Sequence, residues 1–173
     1  MRGTRPAFSV GEIVRATVGS LEVGKTDTQA FGVSTDSRTV EAGNLFVALR
    51  GDRFDGHDFL AKAAEKKAAG FVVKAGTRLA GAACGGEDLF VVAVADTLRA
   101  LGDLARHWRD HFKLPVIAVT GSSGKTTTKD MIGAVLSRGR KSVVSPGNWN
   151  NPVGVPKALF GIREDHEAAV IEM

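Results

Sequence analysis

The stretch Val116-Ile117-Ala118-Val119-Thr120-Gly121-Ser122-Ser123-Gly124-Lys125-Thr126-Thr127-Thr128 decides how the chain is read. Its first four residues are apolar and mostly β-branched, the composition of a buried strand. A glycine-bearing turn follows, and Lys125-Thr126-Thr127 opens a segment with helical spacing. Strand, loop and helix in that order are the context of a phosphate-binding loop. Glycines let successive backbone N–H groups converge on phosphate oxygens, and the helix N-terminus adds partial positive charge. Lys125 then reaches the β/γ-phosphates, and the Thr126 hydroxyl sits on the Mg²⁺ that bridges them. The plainer alternative is a glycine-rich turn with Lys125 on the surface; the flanking strand and Thr126 weigh against it. Val119 stands where the usual motif places its first glycine, so the loop is a shorter variant.

The bulk numbers fit an ordinary globular protein. At 173 residues, one large domain or two small ones can form. Hydrophobic residues make up 43% and charged residues 24%, which sets aside disordered and membrane-spanning classes. The net charge of +4 is scattered, with no basic run to suggest a nucleic-acid arm. Cys84 is the single cysteine, so no internal disulfide can form and a reducing cytoplasm is the natural home. No apolar run reaches the roughly 20 residues of a membrane span. The N-terminus lacks the apolar core of a signal peptide.

Outward from the phosphate loop, strands and helices alternate. Ser9 to Glu12 reads as a capping box opening a short helix. Short strands are expected up to residue 40, then a strand over Asn44–Leu49. Residues 57–69 have helical composition, stopped by Gly70. Phe71–Val73 and Leu89–Val94 read as buried strands, with a small-residue surface loop over 75–87 between them. Asp96 caps a helix with Leu98, Leu101, Leu104, Ala105, Trp108 and Phe112 on one face. The helix after Lys125 is expected to turn Met131, Ile132, Val135 and Leu136 inward. Ser142–Val144 is a short strand, Pro146 to Asn151 a polar loop, Val153–Phe160 a helix, and Ala168–Glu172 a last buried strand. The alternation predicts an α/β fold with a mainly parallel sheet. A parallel sheet needs helices on both faces. The last strand ends at the chain terminus, so the chain is expected to be the front part of something longer.

Three further stretches carry candidate chemistry. Ser34-Thr35-Asp36-Ser37-Arg38 either binds an anion or base edge through Arg38, or is an Asx-type turn with a solvated arginine. Gly51 to Phe59 is a polar loop in which Asp55 and His57 fit turn and capping roles better than metal ligation. Pro146-Gly147-Asn148-Trp149-Asn150-Asn151 is either a plain turn or a cluster of amides at the sheet edge where α/β ligands bind.

Taken together, the phosphate loop, these stretches and the closing Ala168-Ala169-Val170-Ile171-Glu172-Met173 resemble the Mur ligase family over residues 8 to 173. The wording RFDGHDF, TGSSGKTT and AAVIEM is most like the member that joins D-alanyl-D-alanine to UDP-N-acetylmuramoyl-tripeptide. A sister enzyme adding the third amino acid reads TGTNGKTT instead and is the alternative. The resemblance implies an N-terminal UDP-muramoyl-peptide-binding α/β domain over 1–95 and the front of a central ATPase domain over 96–173. It also implies a C-terminal domain that has no counterpart here, so the chain is expected to be an inactive N-terminal portion. Gly121, Ser122, Ser123, Gly124, Lys125, Thr126 and Thr127 match the family's ATP loop. Ser37 and Arg38, with Thr35 beside them, match its uridine-diphosphate site, and Asp52, Arg53 and Phe54 lie where relatives touch the UDP-sugar. Asn150 and Asn151 fall where the family approaches the muramoyl-peptide, although Pro152-Val153 replaces the acidic–Ile pair usual after them. Glu172 matches the acidic residue that holds Mg²⁺ with Thr126. The resemblance implies amide formation through an acyl-phosphate, with ATP and Mg²⁺, by a cytoplasmic monomer that binds neither nucleic acid nor membrane. The rivals are a UDP-sugar-binding module without catalysis and an unrelated P-loop enzyme. The missing first glycine of the loop counts against the latter.

Overall fold

A capping box opens the chain as the sequence indicates. In the computed structural model, which describes residues 5–52, 54–79 and 89–173, the Ser9 side chain accepts from the Glu12 N–H while Glu12 Oε2 accepts from the Ser9 N–H. Strand β1 (Ala7–Ser9) leads into α1 (Val10–Thr17). Strands β2 (Ser20–Val23), β3 (Gln29–Phe31), β4 (Val33–Ser34) and β5 (Leu45–Val47) follow. A 3-10 turn over Gly56–Phe59 feeds α2 (Leu60–Glu65), and β6 (Gly70–Lys74) and β7 (Phe90–Val94) complete the first sheet. Its order is β2-β7-β6-β5-β4, parallel except for the antiparallel edge strand β2. Phe46, Ala48, Leu60, Ala63, Phe71, Val73 and Val91 form its core. The expected helix over 57–69 is shorter than its composition suggests. Lys67, not Gly70, takes the left-handed position after it (φ 60), and Gly70 already belongs to β6.

Helix α3 (Thr97–Asp110) begins where expected, with Asp96 Oδ1 accepting from the Leu98 and Arg99 N–H groups. Leu98 departs from the expected buried face and is 40% exposed. The chain divides inside α3 into two compact units, Pro6–Leu104 and Ala105–Met173. The expected boundary at 95/96 lies just before this helix.

The second unit holds β8 (Val116–Val119), α4 (Lys125–Leu136), β9 (Ser142–Val144), α5 (Gly154–Leu159) and β10 (Ala168–Glu172). Its sheet is all parallel, ordered β8-β10-β9. The last strand in sequence is therefore the central one, and every residue of β10 is buried. β8, expected to be buried, is an edge strand with only Val119 fully covered. Leu114, Ala158, Ile162, Ala169 and Ile171 pack on one face, and the Trp108 indole N–H donates to the Ile162 carbonyl. Helix α4 corrects a second expectation. Met131 is 65% and Val135 71% exposed, while Lys129 and Gly133 face inward. Gly133 sets that rotation, because a Cβ there would stand 2.8 Å from a Val144 methyl. The surface loop expected over 75–87 lies mostly outside the described residues, as do Cys84 and Arg53. Among the described residues, no helix is long and apolar enough to cross a membrane.

Candidate functional site

Parallel strands deliver their C-terminal ends to one edge, and ligands of α/β proteins collect there. In the second unit this edge carries the phosphate loop after β8, the Asn-rich loop after β9 and Glu172 at the end of β10. Gly121 (φ 146) and Gly124 (φ 74) take backbone conformations that side chains resist, and Gly124 is the N-cap residue of α4. Lys125 Nζ folds over its own loop to donate to the Gly121 carbonyl at 2.7 Å. Ser122, Ser123 and Thr127 are exposed around the helix N-terminus.

Glu172 is the hub of the edge. Thr126 Oγ1 donates to its Oε2 at 2.9 Å, and Asn150 Nδ2 donates to its Oε1 at 2.9 Å. Its backbone N–H donates to Ser145 Oγ at 3.0 Å. Lys129 Nζ lies 3.6 Å from Oε2 and donates to the Gly147 carbonyl at 2.8 Å. Both side chains of this ion pair are only 2% exposed. Burial pushes the Glu172 carboxyl up, but hydrogen bonds from Asn150 and Thr126, together with the Lys129 ammonium, outweigh it. The net direction is below the ordinary glutamate value. Glu172 is therefore an ionised carboxylate beside a threonine hydroxyl. Such a hard-oxygen donor set suits Mg²⁺. Asn151 is not drawn into this cluster: its Oδ1 accepts from the Val153 and Gly154 N–H groups at 3.0 and 2.7 Å, ordering the entry to α5.

The first unit presents a second candidate site at its own sheet edge. After β4, Ser34 Oγ donates to the Asp36 carbonyl, and Arg38 Nε and Nη2 grip the Asp36 carboxylate at 3.0 and 2.7 Å. Of the two alternatives for this stretch the structure shows the Asx-type turn, with the Arg38 side chain paired to Asp36 and 80% exposed. Ser37 is buried and Thr35 half-buried. After β5, the Gly51 N–H donates to the Phe54 carbonyl, Asp52 is exposed and Phe54 is 73% exposed. His57 is held at both nitrogens. Nδ1 donates to Asp55 Oδ1 at 2.5 Å and Nε2 accepts from the Lys74 N–H at 3.0 Å, which fits the turn role expected of it. Beside it opens a cleft of about 480 Å³ lined by Arg50, Asp55, His57, Lys74, Asp96 and Thr97.

Comparison with known proteins matches this layout unit by unit. Residues 30–109 match the Mur ligase family catalytic domain, and residues 119–173 match the Mur ligase middle domain. The chain belongs to the Mur ligase family. It is 42% identical to the UDP-N-acetylmuramoyl-tripeptide–D-alanyl-D-alanine ligase of Synechocystis, over 96% of this chain and 36% of that enzyme. It is 39% identical to the Bacillus subtilis enzyme of the same name, over 98% of this chain and 35% of that one. A crystal structure of MurF from Acinetobacter baumannii superposes with a TM-score of 0.87 at 36% identity, covering 98% of this chain and 36% of that one. MurF from Thermotoga maritima in complex with ADP gives a TM-score of 0.70 at 34% identity, covering 82% of this chain and 31% of that one. The chain thus spans about a third of the length of the relatives it matches.

Within this Mur ligase site, sequence reading missed Lys129 and Ser145. Lys129 had a findable signal. It lies one helical turn beyond Lys125 and one before Gly133, on the stripe that must face the loop and sheet if Lys125 and Thr126 do. Ser145 had none, since a serine after a short strand is ordinary.

Proposed function

We propose that this chain supplies the UDP-muramoyl-peptide-binding domain (1–95) and the front of the ATP-binding domain (96–173) of an ATP-dependent amide ligase. The reaction joins D-alanyl-D-alanine to UDP-N-acetylmuramoyl-tripeptide in the cytoplasm, by a monomer that engages neither membrane nor nucleic acid. The observation that carries this reading is the hydrogen-bonded run Thr126–Glu172–Asn150. It links the nucleotide loop to the loop facing the muramoyl-peptide through one buried carboxylate.

In the proposed reaction, an oxygen of the tripeptide carboxylate attacks the γ-phosphorus of ATP, and the bond to the bridging oxygen breaks to release ADP. The amine of D-alanyl-D-alanine then attacks the acyl carbon, phosphate leaves, and the amine loses a proton. Lys125 and the N–H groups of Gly121 to Thr127 stabilise charge on the phosphoryl group being transferred. Thr126 and Glu172 are the residues that would hold Mg²⁺. When bound, that ion neutralises phosphate charge. Asn150, already fixed by Glu172, offers an amide toward the peptide carboxylate. In the first unit, Ser37, Arg38 and Thr35 bind the uridine diphosphate, and Asp52, Arg53 and Phe54 contact the sugar. The neighbouring cleft is within the roughly 300–1,000 Å³ of small-molecule sites. Asn151 contributes by ordering the loop that carries Asn150.

Calorimetric titration with UDP-N-acetylmuramoyl-tripeptide tests the reading. Saturable binding that weakens about 10- to 100-fold in Arg38→Ala is expected, the loss of one charge-assisted bidentate contact. A folded chain that ignores this ligand would overturn it.

A further inference from the structure

A lysine that is 2% exposed, on a helix whose opposite face leaves Met131 and Val135 in solvent, asks for a reason. Burying an ammonium is costly unless it is paired and hydrogen-bonded. Lys129 has both kinds of partner. Its Nζ donates to the Gly147 carbonyl and lies 3.6 Å from Glu172 Oε2, with the largely exposed Asp130 carboxylate at 3.5 Å. Oε2 is also the oxygen that accepts from Thr126 Oγ1. The ammonium therefore lies beside the very pair of oxygens proposed above to hold a divalent cation.

We infer that Lys129 is the resident counter-ion of Glu172, holding the cation position until a nucleotide-borne divalent ion displaces it. The inference rests on the nucleotide reading of this site. A free divalent ion approaching Oε2 meets a fixed positive charge a few ångströms away, and like charges at that separation repel even through water. An ion arriving with nucleotide phosphates brings compensating negative charge, and the ammonium can then turn its protons to Gly147 and Asp130. Lys129 is a positioning residue in this scheme. Its charge makes metal entry depend on nucleotide and keeps a bare cation from occupying the site.

The test uses the 173-residue chain and Mn²⁺ as the probe, with free ion counted by electron paramagnetic resonance at pH 8, with and without ADP. The wild-type chain is expected to bind Mn²⁺ weakly alone and tightly with ADP. Lys129→Met is expected to raise affinity for Mn²⁺ alone at least about tenfold, since it removes a unit charge next to a double one. Lys129→Arg, which keeps the charge, stays near wild type. Adding Glu172→Gln to Lys129→Met abolishes the gain. Two results overturn the inference: wild type binding Mn²⁺ alone as tightly as with ADP, or Lys129→Met within threefold of wild type. Nitrogen-detected NMR of the wild-type lysine ammonium groups decides the matter without any variant. Saturating Mg²⁺ and ADP must shift the Lys129 signal, and an unmoved signal sinks the inference. A chain that binds no ADP under any condition refutes the nucleotide reading instead, so the two failures are distinguishable.

Discussion

Asp55 and Lys125 show how single side chains are fixed at the two sheet edges by local partners. The Asp55 carboxylate accepts from the His57 backbone N–H and from its Nδ1, and Arg50 stands 3.9 Å away. The backbone hydrogen bond from His57, then the one from its ring, hold the Asp55 carboxyl below the ordinary aspartate value against a small opposing effect of burial. A carboxyl depressed in the folded state contributes stability above its unfolded value of about 3.9 and loses it as pH falls through the folded value. Urea denaturation should therefore show Asp55→Asn less stable than wild type near neutral pH, by about the 1 kcal/mol that separates a charged from a neutral hydrogen bond. The gap should close below about pH 4. A gap that persists at low pH means that neutral contacts, not the charge, carry the effect. At the other edge, Lys125→Ala would remove the charge-assisted phosphate contact proposed for it. ADP affinity should fall roughly 10- to 100-fold while UDP-N-acetylmuramoyl-tripeptide binding stays within twofold; calorimetry reads both. Unchanged ADP binding would return Lys125 to the surface-turn alternative. The strand–turn–helix that carries Lys125 and Thr126 was legible in the sequence because it is local, with its residues fixed by spacing along the chain. Glu172 and Asn150 needed family resemblance, since 46 and 24 positions separate them from Thr126. Only strand order brings them together.

Among the elements, α1 and α4 contrast a pattern that sequence reveals with one that it hides. The capping box of α1 is a contact between neighbours in the chain, so it can be read directly. Its other end is less obvious. No glycine but Val18 takes the left-handed conformation there (φ 52), with 91% exposure. The glycine that follows, Gly19, is needed for close approach: a Cβ there would meet a Val92 methyl at 2.7 Å and the Ala93 carbonyl at 2.9 Å. A β-branched residue in that region costs roughly 1–2 kcal/mol. Glycine's extra freedom in the unfolded chain returns about 0.5–1 kcal/mol of this. Val18→Gly should therefore stabilise the protein by about 0.5–1 kcal/mol, seen as a higher urea midpoint with an unchanged slope. A lower midpoint would mean that the Val18 side chain makes contacts its exposure does not suggest. Helix α4 misleads in the opposite sense. Apolar spacing points to Met131 and Val135, but the buried Lys129 and the close approach of Gly133 to Val144 go with a different rotation. Backbone proximity here overrides amphipathic pattern.

At the scale of the whole molecule, a five-stranded and a three-stranded sheet, beside the small antiparallel β1–β3 pair, follow from one alternating sequence. The α/β class and nearly every strand were legible, because period and β-branching are local properties. Strand order was not. Nothing local tells Ala168–Glu172 that it will lie between β8 and β9, or tells Val116–Val119 that it will lie at an edge. That difference has a measurable consequence. Amide exchange reports local opening, slowest where backbone hydrogen bonds are buried on both sides. In the first unit, β6 and β7 pair over five registered positions, and β7 is buried throughout. In the second, only β10 is flanked on both sides, while β8 and β9 are largely half-buried. Hydrogen-exchange mass spectrometry on the intact chain should find the slowest amides in Phe71–Val73, Val91–Ala93 and Ala169–Ile171. Val116–Ala118 and Ser142–Val144 should exchange well before them. Added Mg²⁺ and ADP should slow the segment from Gly121 to Lys129 and the end of β10, because the proposed ligands tie both to one nucleotide. The first unit should keep its rates under that addition. Slowing that appeared in Ser34–Arg38 instead would place the nucleotide at the other sheet edge and reverse the assignment of the two sites.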